Sequence, residues 1–399
     1  MTADHGLTPA LTALRRRVRA FLDDRVLPVE ERVVAEDAAL CWDTLEGLQA
    51  AARSEGLWVP HLPASLGGLG LGTMGMCALF REMGRSSIGA RVFNCDAPDQ
   101  GNMDLLLQVG SPAVKERYLE PLVRAQITSA FCMTEPAPGA GADPSNLRTT
   151  ATPDGDDWVI DGHKWFATGG GRAAFLIVMA RTSDDPRHGA TMFVVDRNAP
   201  GVNHVRDVDV MGPPLLAHRE AELLLDGIRV GPQAILGEVG QGFALAQRRL
   251  VPARLTHCMR WLGLAARSLE MCREQLHRRV SFGRKLADHQ LVQAMVARNA
   301  ADIHAGNLMT LHAAQMLEDG LGNEARPFSS MAKNHVANTL CRTLDDAIQL
   351  HGARGYSDDL PFQRWYRAAR AARIADGPDE VHTMVVARDF MRGRLPLLV

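Results

Sequence analysis

Apolar residues recur at helical spacing from Leu11 to about Ala125, as in Leu11-Leu14-Val18-Phe21-Leu22 and Leu45-Leu48-Ala51-Ala52. Steps of three and four put such residues on one face of a helix, so this stretch predicts a helical unit. Breaks fall at Pro60, Pro63 and the run Leu66-Gly67-Gly68-Leu69-Gly70-Leu71-Gly72. No strand precedes that glycine run, which favours a turn between helices over a phosphate loop.

Between about Ile127 and Gly237 the pattern shortens to strand-like runs. Residues 158–166 predict a hairpin turning at Asp161-Gly162, because Asp-Gly suits a two-residue turn. Residues 175–180, 191–195 and 222–225 predict further strands, punctuated by clusters such as Gly212-Pro213-Pro214. A compact antiparallel barrel or sandwich is expected here.

From Gln241 onward the period is helical again and the helices are long, near 241–279, 288–320 and 327–352. They are separated by Ser281-Phe282-Gly283, Gly320-Leu321-Gly322 and Gly352. Long helices with wide apolar stripes pack as antiparallel bundles. The expected fold is therefore α+β and multidomain: an α-helical unit over 1–128, a β unit over 129–238 and a four-helix-type bundle over 239–399.

Composition narrows the function. A net charge of −2 gives no field suited to nucleic acid or anionic lipid, so neither is expected as a partner. The seven cysteines form no C-x-x-C pair and no cluster with zinc-ligand spacing, so no metal site is expected. Scattered thiols fit a reducing compartment. No apolar leader precedes Ala20 and no run of 18 apolar residues occurs. These features predict a soluble, cytoplasmic protein without a membrane span.

Chemistry concentrates near the C-terminus, in Arg373-Ile374-Ala375-Asp376-Gly377-Pro378-Asp379-Glu380-Val381-His382. A carboxylate before Gly-Pro, between two amphipathic segments, fits a general base facing a bound substrate. It fits a helix cap equally well, with Pro in the first turn.

Four other groups bear on that choice. Phe131-Cys132-Met133-Thr134-Glu135-Pro136, with Gly139 and Asp143, sits at the helix-to-strand transition. Lys164-Trp165-Phe166-Ala167-Thr168-Gly169 follows on a strand. Arg254-Leu255-Thr256-His257-Cys258-Met259-Arg260 lies in the first long helix. Arg279-Val280-Ser281-Phe282-Gly283 with Gln290, and Gln349-Leu350-His351-Gly352-Ala353-Arg354-Gly355-Tyr356, come last. In this order the motifs resemble those of the acyl-CoA dehydrogenase family over nearly the whole chain.

The resemblance implies FAD as cofactor and an acyl-CoA thioester as substrate. Phe131, Met133 and Thr134 would meet the flavin pyrimidine, Phe166 the ring face and Thr168 the flavin N5. Arg279, Phe282, Gln290, Gln349 and Gly352 would hold the adenine dinucleotide half of FAD from a neighbouring subunit. That implies a homo-oligomer, a dimer or a homotetramer. Arg guanidinium forks and close backbone approach at glycine suit a pyrophosphate. Arg254 and Gly377 would line the substrate, and Asp376 would take the α-proton while the β-hydride passes to N5. The Asp376 N–H would polarise the thioester carbonyl. Electrons would leave to an electron-transferring flavoprotein, within fatty acid metabolism.

Several positions depart from the family pattern. Ala142 replaces a serine, with Ser145 nearby; Ala353 replaces a glycine. Asp376 stands where glutamate is usual, and Pro378 where threonine is usual. Ala253 occupies the alternative base position of some members, and Glu380 reads as a first-turn carboxylate. The strings H-C-M-R, Asn94-Cys95-Asp96-Ala97-Pro98-Asp99 and A-D-G-P-D-E-V-H resemble a branch whose animal members carry a kinase-like domain. An aspartate base also resembles nitroalkane-oxidising flavoenzymes of the superfamily, which reoxidise with oxygen. A third alternative is a non-catalytic, DNA-binding flavoprotein, which the near-neutral charge disfavours.

Overall fold

The computed structural model describes residues 6–34, 38–185, 188–211 and 219–396. The Gly212-Pro213-Pro214 cluster and the side chain of Cys41 lie outside the described residues.

Helices dominate as far as Val123, including Pro9–Phe21, Ala38–Ser54, Thr73–Met83 and Asp99–Val109. The first shows why such segments are helical. Thr8 caps it by accepting from the Leu11 N–H at 3.2 Å, and Pro9 occupies the first turn, where its missing N–H costs nothing. Val18, Phe21 and Leu22 are then buried on one face. The glycine run after Pro63 forms a turn, with the Gly70 N–H donating to Leu62 O at 2.8 Å.

The middle of the chain forms one sheet of eight strands. They are β1 (Ser129–Cys132), β2 (Thr150–Asp154), β3 (Asp157–Thr168), β4 (Phe175–Arg181), β5 (Ala190–Asp196), β6 (Val202–Val208), β7 (Glu220–Val230) and β8 (Ile235–Leu236). The order is β6-β7-β3-β2-β4-β5-β8, with β1 also paired to β4. β1 and β2 each run parallel to β4, so the sheet is mixed rather than wholly antiparallel. Every residue of β4 except Arg181 is buried, which explains its unbroken apolar run: both faces are covered.

The expected hairpin turn at Asp161-Gly162 is corrected. β3 runs straight through that dipeptide, and the hairpin turns at Gly155-Asp156, with Gly155 at φ +64°. Asp161-Gly162 marks a register shift against β7 instead. An added Cβ at Gly162 would sit 2.3 Å from the Thr149 hydroxyl, so glycine serves close packing there. Two Asp-Gly pairs seven residues apart carry the same local signal, and only strand pairing separates them.

The last part is a bundle of Gly242–Arg278, Gln290–Glu318, Gly322–His351 and Asp379–Met391. The first of these is about 55 Å long at 1.5 Å per residue. It fastens to the N-terminal helices through Arg85, whose Nη1 donates to Glu270 Oε1 at 3.0 Å. No helix among the described residues is long and apolar enough to cross a membrane.

Candidate active site

Between Arg373 and Asp379 the chain reverses through an unusual pair, Asp376 at φ +54° and Gly377 at φ +105°. Aspartate is among the few side chains that tolerate the left-handed region. At Gly377 a Cβ would lie 2.7 Å from His382 Nε2, so this position requires glycine. The next helix starts at Asp379 with Pro378 at its N-cap and no side-chain cap. Asp376 is therefore not the cap of that helix.

Three bundle helices hold this turn by its carbonyl oxygens. Arg254 Nε donates to Asp376 O at 3.0 Å, from the first. Lys333 Nζ donates to Gly377 O at 2.7 Å, from the third. His382, from the last, places Nε2 3.1 Å from Asp376 O and Nδ1 3.0 Å from the Ser330 hydroxyl. A carbonyl only accepts, so Nε2 carries the proton and Nδ1 accepts from Ser330. Burial, aided by Arg254 and Lys333, pushes His382 down to about 4, which keeps it neutral in that role. Burial also lowers Arg254 and Lys333, opposed by Asp376 and Asp379 respectively.

The held carbonyls leave other atoms of Asp376 available. Its N–H makes no hydrogen bond among the described residues. Its carboxylate is 21% exposed, with Oδ2 3.4 Å from His257 Nε2. Asp379, by contrast, is fully engaged, accepting from Arg373 Nε at 2.7 Å and Asn338 Nδ2 at 3.0 Å.

A second cluster forms where β1 and β3 end. The Trp165 N–H donates to Thr134 O at 3.1 Å, joining the first two motifs directly. Phe166, at φ +48° and 43% exposed, meets Trp165 edge to face. The Thr134 hydroxyl has no partner among the described residues, while Phe131 and Met133 are partly buried. An apolar ring face beside an unspent hydroxyl fits a flat heteroaromatic group with a polar edge.

Beneath this surface Lys164, fully buried, donates from Nζ to Glu135 Oε1 at 2.9 Å and to Met133 O at 3.2 Å. Glu135 also accepts from the N–H groups of Ala140, Arg148 and Thr149 at 2.8–3.1 Å. Burial alone would raise its pKa, but Lys164 and these donors bring it down to about 2. The Glu of the first motif thus pins the loop that follows Thr134. In the same loop Ser145 donates its hydroxyl to Asp143 at 2.7 Å, so it is committed to that contact.

Thr168 pairs with Glu220 across β3 and β7, and its hydroxyl lies 2.9 and 3.1 Å from the two carboxyl oxygens. Burial outweighs that hydrogen bond and raises Glu220 to about 7. In the unfolded chain the group ionises near its ordinary value of 4.5. A raised folded-state pKa contributes stability that is complete below about 4.5 and lost as pH rises through about 7. Glu220→Gln is therefore expected to melt higher than the parent at pH 8, with little difference at pH 4.5. Thermal unfolding at both pH values checks this; an equal difference at both would contradict it.

Arg249, which sequence reasoning missed, joins the two clusters. Its guanidinium lies 4.1 Å from the Phe131 ring centroid, and Nε donates to Asn102 Oδ1 at 3.0 Å. Burial lowers it to about 10, opposed by the charges of Asp376, Asp104 and Asp99. Lys333 and His382 were missed as well. His382 ends the string that begins at Arg373, but nothing in the spacing marks Arg249 or Lys333.

The remaining predicted residues lie elsewhere. Arg279 and Phe282 belong to a tight hairpin of Val280–Ser281 and Arg284–Lys285, with Phe282 at φ +51° and 97% exposed. Gln290 starts the next helix; Gln349 lies in the last turn of the third bundle helix, and Gly352 follows that helix at φ +63°. Val280, Leu291 and Tyr356 are exposed alongside them in the sequence. Among the described residues no hydrogen bond or ion pair joins this set to Asp376.

A helical unit, a sheet and a helical bundle, the bundle holding a turn that presents a carboxylate, define the acyl-CoA dehydrogenase fold, an oxidoreductase architecture. The chain belongs to the acyl-CoA dehydrogenase family: the family's N-terminal, middle and C-terminal domain models match residues 8–126, 130–223 and 240–391. It is 40% identical over 349 residues to a Mycobacterium tuberculosis protein named "Probable acyl-CoA dehydrogenase FadE2", covering 86% of this chain and 84% of that one. It is 37% identical over 388 residues to rat acyl-CoA dehydrogenase family member 11, covering 93% of this chain. There it spans about half of the relative's length, 49%. A solved Mycobacterium abscessus chain of the family superimposes with a TM-score of 0.92 at 36% identity, covering 97% of this chain and 99% of that one.

Proposed function

We propose that the protein is an FAD-dependent acyl-CoA dehydrogenase in which Asp376 is the base. The observation that carries this is the Asp376-Gly377 turn. Three bundle helices fix its carbonyls through Arg254, Lys333 and His382, while the Asp376 N–H and carboxylate stay unspent or nearly so. A thioester α-proton is far too weakly acidic to ionise unaided. The two free groups supply complementary functions: the N–H stabilises charge growing on the carbonyl oxygen, and the carboxylate takes the α-proton. The α C–H bond breaks as a carboxyl O–H forms, its electron pair becomes the Cα=Cβ π bond, and the β hydrogen leaves as hydride with the pair of its own bond, so the substrate loses two electrons. When bound, the flavin supplies the acceptor for that hydride at N5.

The second cluster supports FAD through Phe131, Met133, Thr134, Phe166 and Thr168. Arg279, Phe282, Gln290, Gln349 and Gly352 form the dinucleotide site shared with another subunit. An almost fully exposed Phe282 is what an assembly surface would cover, in a dimer or homotetramer. Arg254 and Gly377 position substrate and base together. The chain divides at 1–128, 129–238 and 239–399, works in the cytoplasm in fatty acid metabolism, and passes electrons to an electron-transferring flavoprotein.

One observation favours a second reading: aspartate, rather than glutamate, at the base position fits a nitroalkane-oxidase-like enzyme. The oxidant decides. We expect acyl-CoA turnover with ferricenium and negligible hydrogen peroxide in air. Rapid peroxide release on addition of nitroethane, without acyl-CoA turnover, would overturn the dehydrogenase reading.

A further inference from the structure

Aspartate is one methylene shorter than glutamate and lies in a turn fixed by its carbonyls, so its carboxylate needs its own means of orientation. Two strings of the sequence that the reaction leaves unused, H-C-M-R and Asn94–Asp99, converge on it. His257 stands with Nε2 3.4 Å from Asp376 Oδ2. Its Nδ1 lies 2.9 Å from Arg260 Nη2. Arg260 in turn pairs with Asp96 through Nη1, and Asp96 Oδ1 also accepts from the Ala97 N–H at 2.9 Å. Asp96 Oδ2 faces Arg91 Nε at 3.7 Å. The line runs Asp96, Arg260, His257, Asp376, from the N-terminal helices through the first bundle helix to the turn.

The donor chemistry fixes the direction of every bond. A guanidinium has no acceptor, so His257 Nδ1 must accept from Arg260. A neutral imidazole accepting at Nδ1 carries its proton on Nε2, where it faces Asp376 Oδ2. Burial, then the charge of Arg260, push His257 down to about 4, against the pull of Asp376 and Asp96, so the ring is neutral at physiological pH. Trp261 stacks on it with centroids 5.7 Å apart and planes 22° apart, which sets the ring's tilt. The contact engages Oδ2, while Oδ1 makes no hydrogen bond among the described residues. A 3.4 Å separation is long for a hydrogen bond; such contacts tighten when substrate closes the site.

We propose that His257, held as its Nε2–H tautomer by Arg260 and Asp96, is the positioning residue that orients the Asp376 carboxylate for proton abstraction. This rests on Asp376 being the base. The relay adapts the site to a short carboxylate: the bundle helix reaches toward the base instead of the base reaching further. It acts on the chemical step and leaves substrate affinity alone, because His257 touches the base.

The test is anaerobic stopped-flow flavin reduction in the full chain with FAD bound, using the most reactive of butyryl-, isobutyryl- and octanoyl-CoA. His257→Phe keeps the stack on Trp261 and removes both ring nitrogens. It is expected to slow reduction by roughly 100-fold, the cost of a misplaced reacting group, with unchanged acyl-CoA Kd and flavin content. His257→Gln, which can again present an N–H to Oδ2, is expected to recover most of the rate. Arg260→Met, which releases the tautomer, is expected to slow reduction without weakening binding and serves if the Phe variant is unstable. Asp376→Asn, measured alongside, separates the two claims. Loss in Asp376→Asn with a parental rate in His257→Phe overturns the relay alone. Equal slowing in the Gln and Phe variants, or a loss confined to Kd, also overturns it. Normal reduction in Asp376→Asn overturns the base assignment and the relay with it.

Discussion

Asp376→Asn is expected to keep its flavin and lose its reduction by acyl-CoA, with a rate lower by roughly 10²–10⁴-fold, the usual worth of a positioned general base. The carboxamide has nearly the shape of the carboxylate. The contacts that hold the turn reach the backbone carbonyls of Asp376 and Gly377 from Arg254, His382 and Lys333, so the fold survives the change. What disappears is the carboxylate that the turn leaves available, since Asp379 is engaged by Arg373 and Asn338. Ala253 offers no carboxylate on the facing helix. Stopped-flow reduction and the flavin absorbance of the purified variant check both halves. Normal reduction would remove Asp376 as the base.

The largest effect on stability is expected at Lys164 and Glu135. Their side chains are 0% and 3% exposed, and each is the other's charge partner. Removing one partner leaves a buried charge uncompensated, which costs about 3–5 kcal/mol, whereas replacing both by apolar residues is often near neutral. Lys164→Met is therefore expected to be strongly destabilised and to hold flavin poorly, because Glu135 anchors the loop after Thr134 through three backbone N–H groups. Lys164→Met with Glu135→Leu should recover part of the lost stability but not the loop anchoring. The pH dependence has a definite sign. With Glu135 lowered to about 2 from 4.5, its stabilisation is present above 4.5 and lost as pH falls through 2. Chemical denaturation of the two variants and the parent checks this; a single variant as stable as the parent would contradict it.

The course of the chain was legible because the period of its apolar residues changes with its element types. The carboxylate turn and its arginine partner were legible for a different reason: residue types at motif spacing, 122 positions apart, come together as Arg254 and Asp376. Other features were beyond sequence-local reasoning. Asp161-Gly162 and Asp154-Gly155 look alike until strands pair, and only the second leads into a turn, at Gly155-Asp156. Arg249, Lys333 and His382 act across helix contacts whose rotation no periodicity fixes. Glu135 sits inside a cofactor motif, and the fold gives it a buried lysine and three amides to hold, a structural duty that its burial and hydrogen bonds reveal. Nothing in the H-C-M-R string assigns His257 a role; in the fold Arg260 on one side and Asp376 on the other fix its proton.

The central claim is that Asp376 opens an acyl-CoA to dehydrogenation at a bound flavin. Its most direct test is anaerobic addition of straight-chain and branched acyl-CoAs to the purified holoprotein while the flavin absorbance is followed. At least one acyl-CoA is expected to bleach the flavin in the parent, and none to do so at a comparable rate in Asp376→Asn. A holoprotein whose flavin no acyl-CoA reduces would contradict the claim.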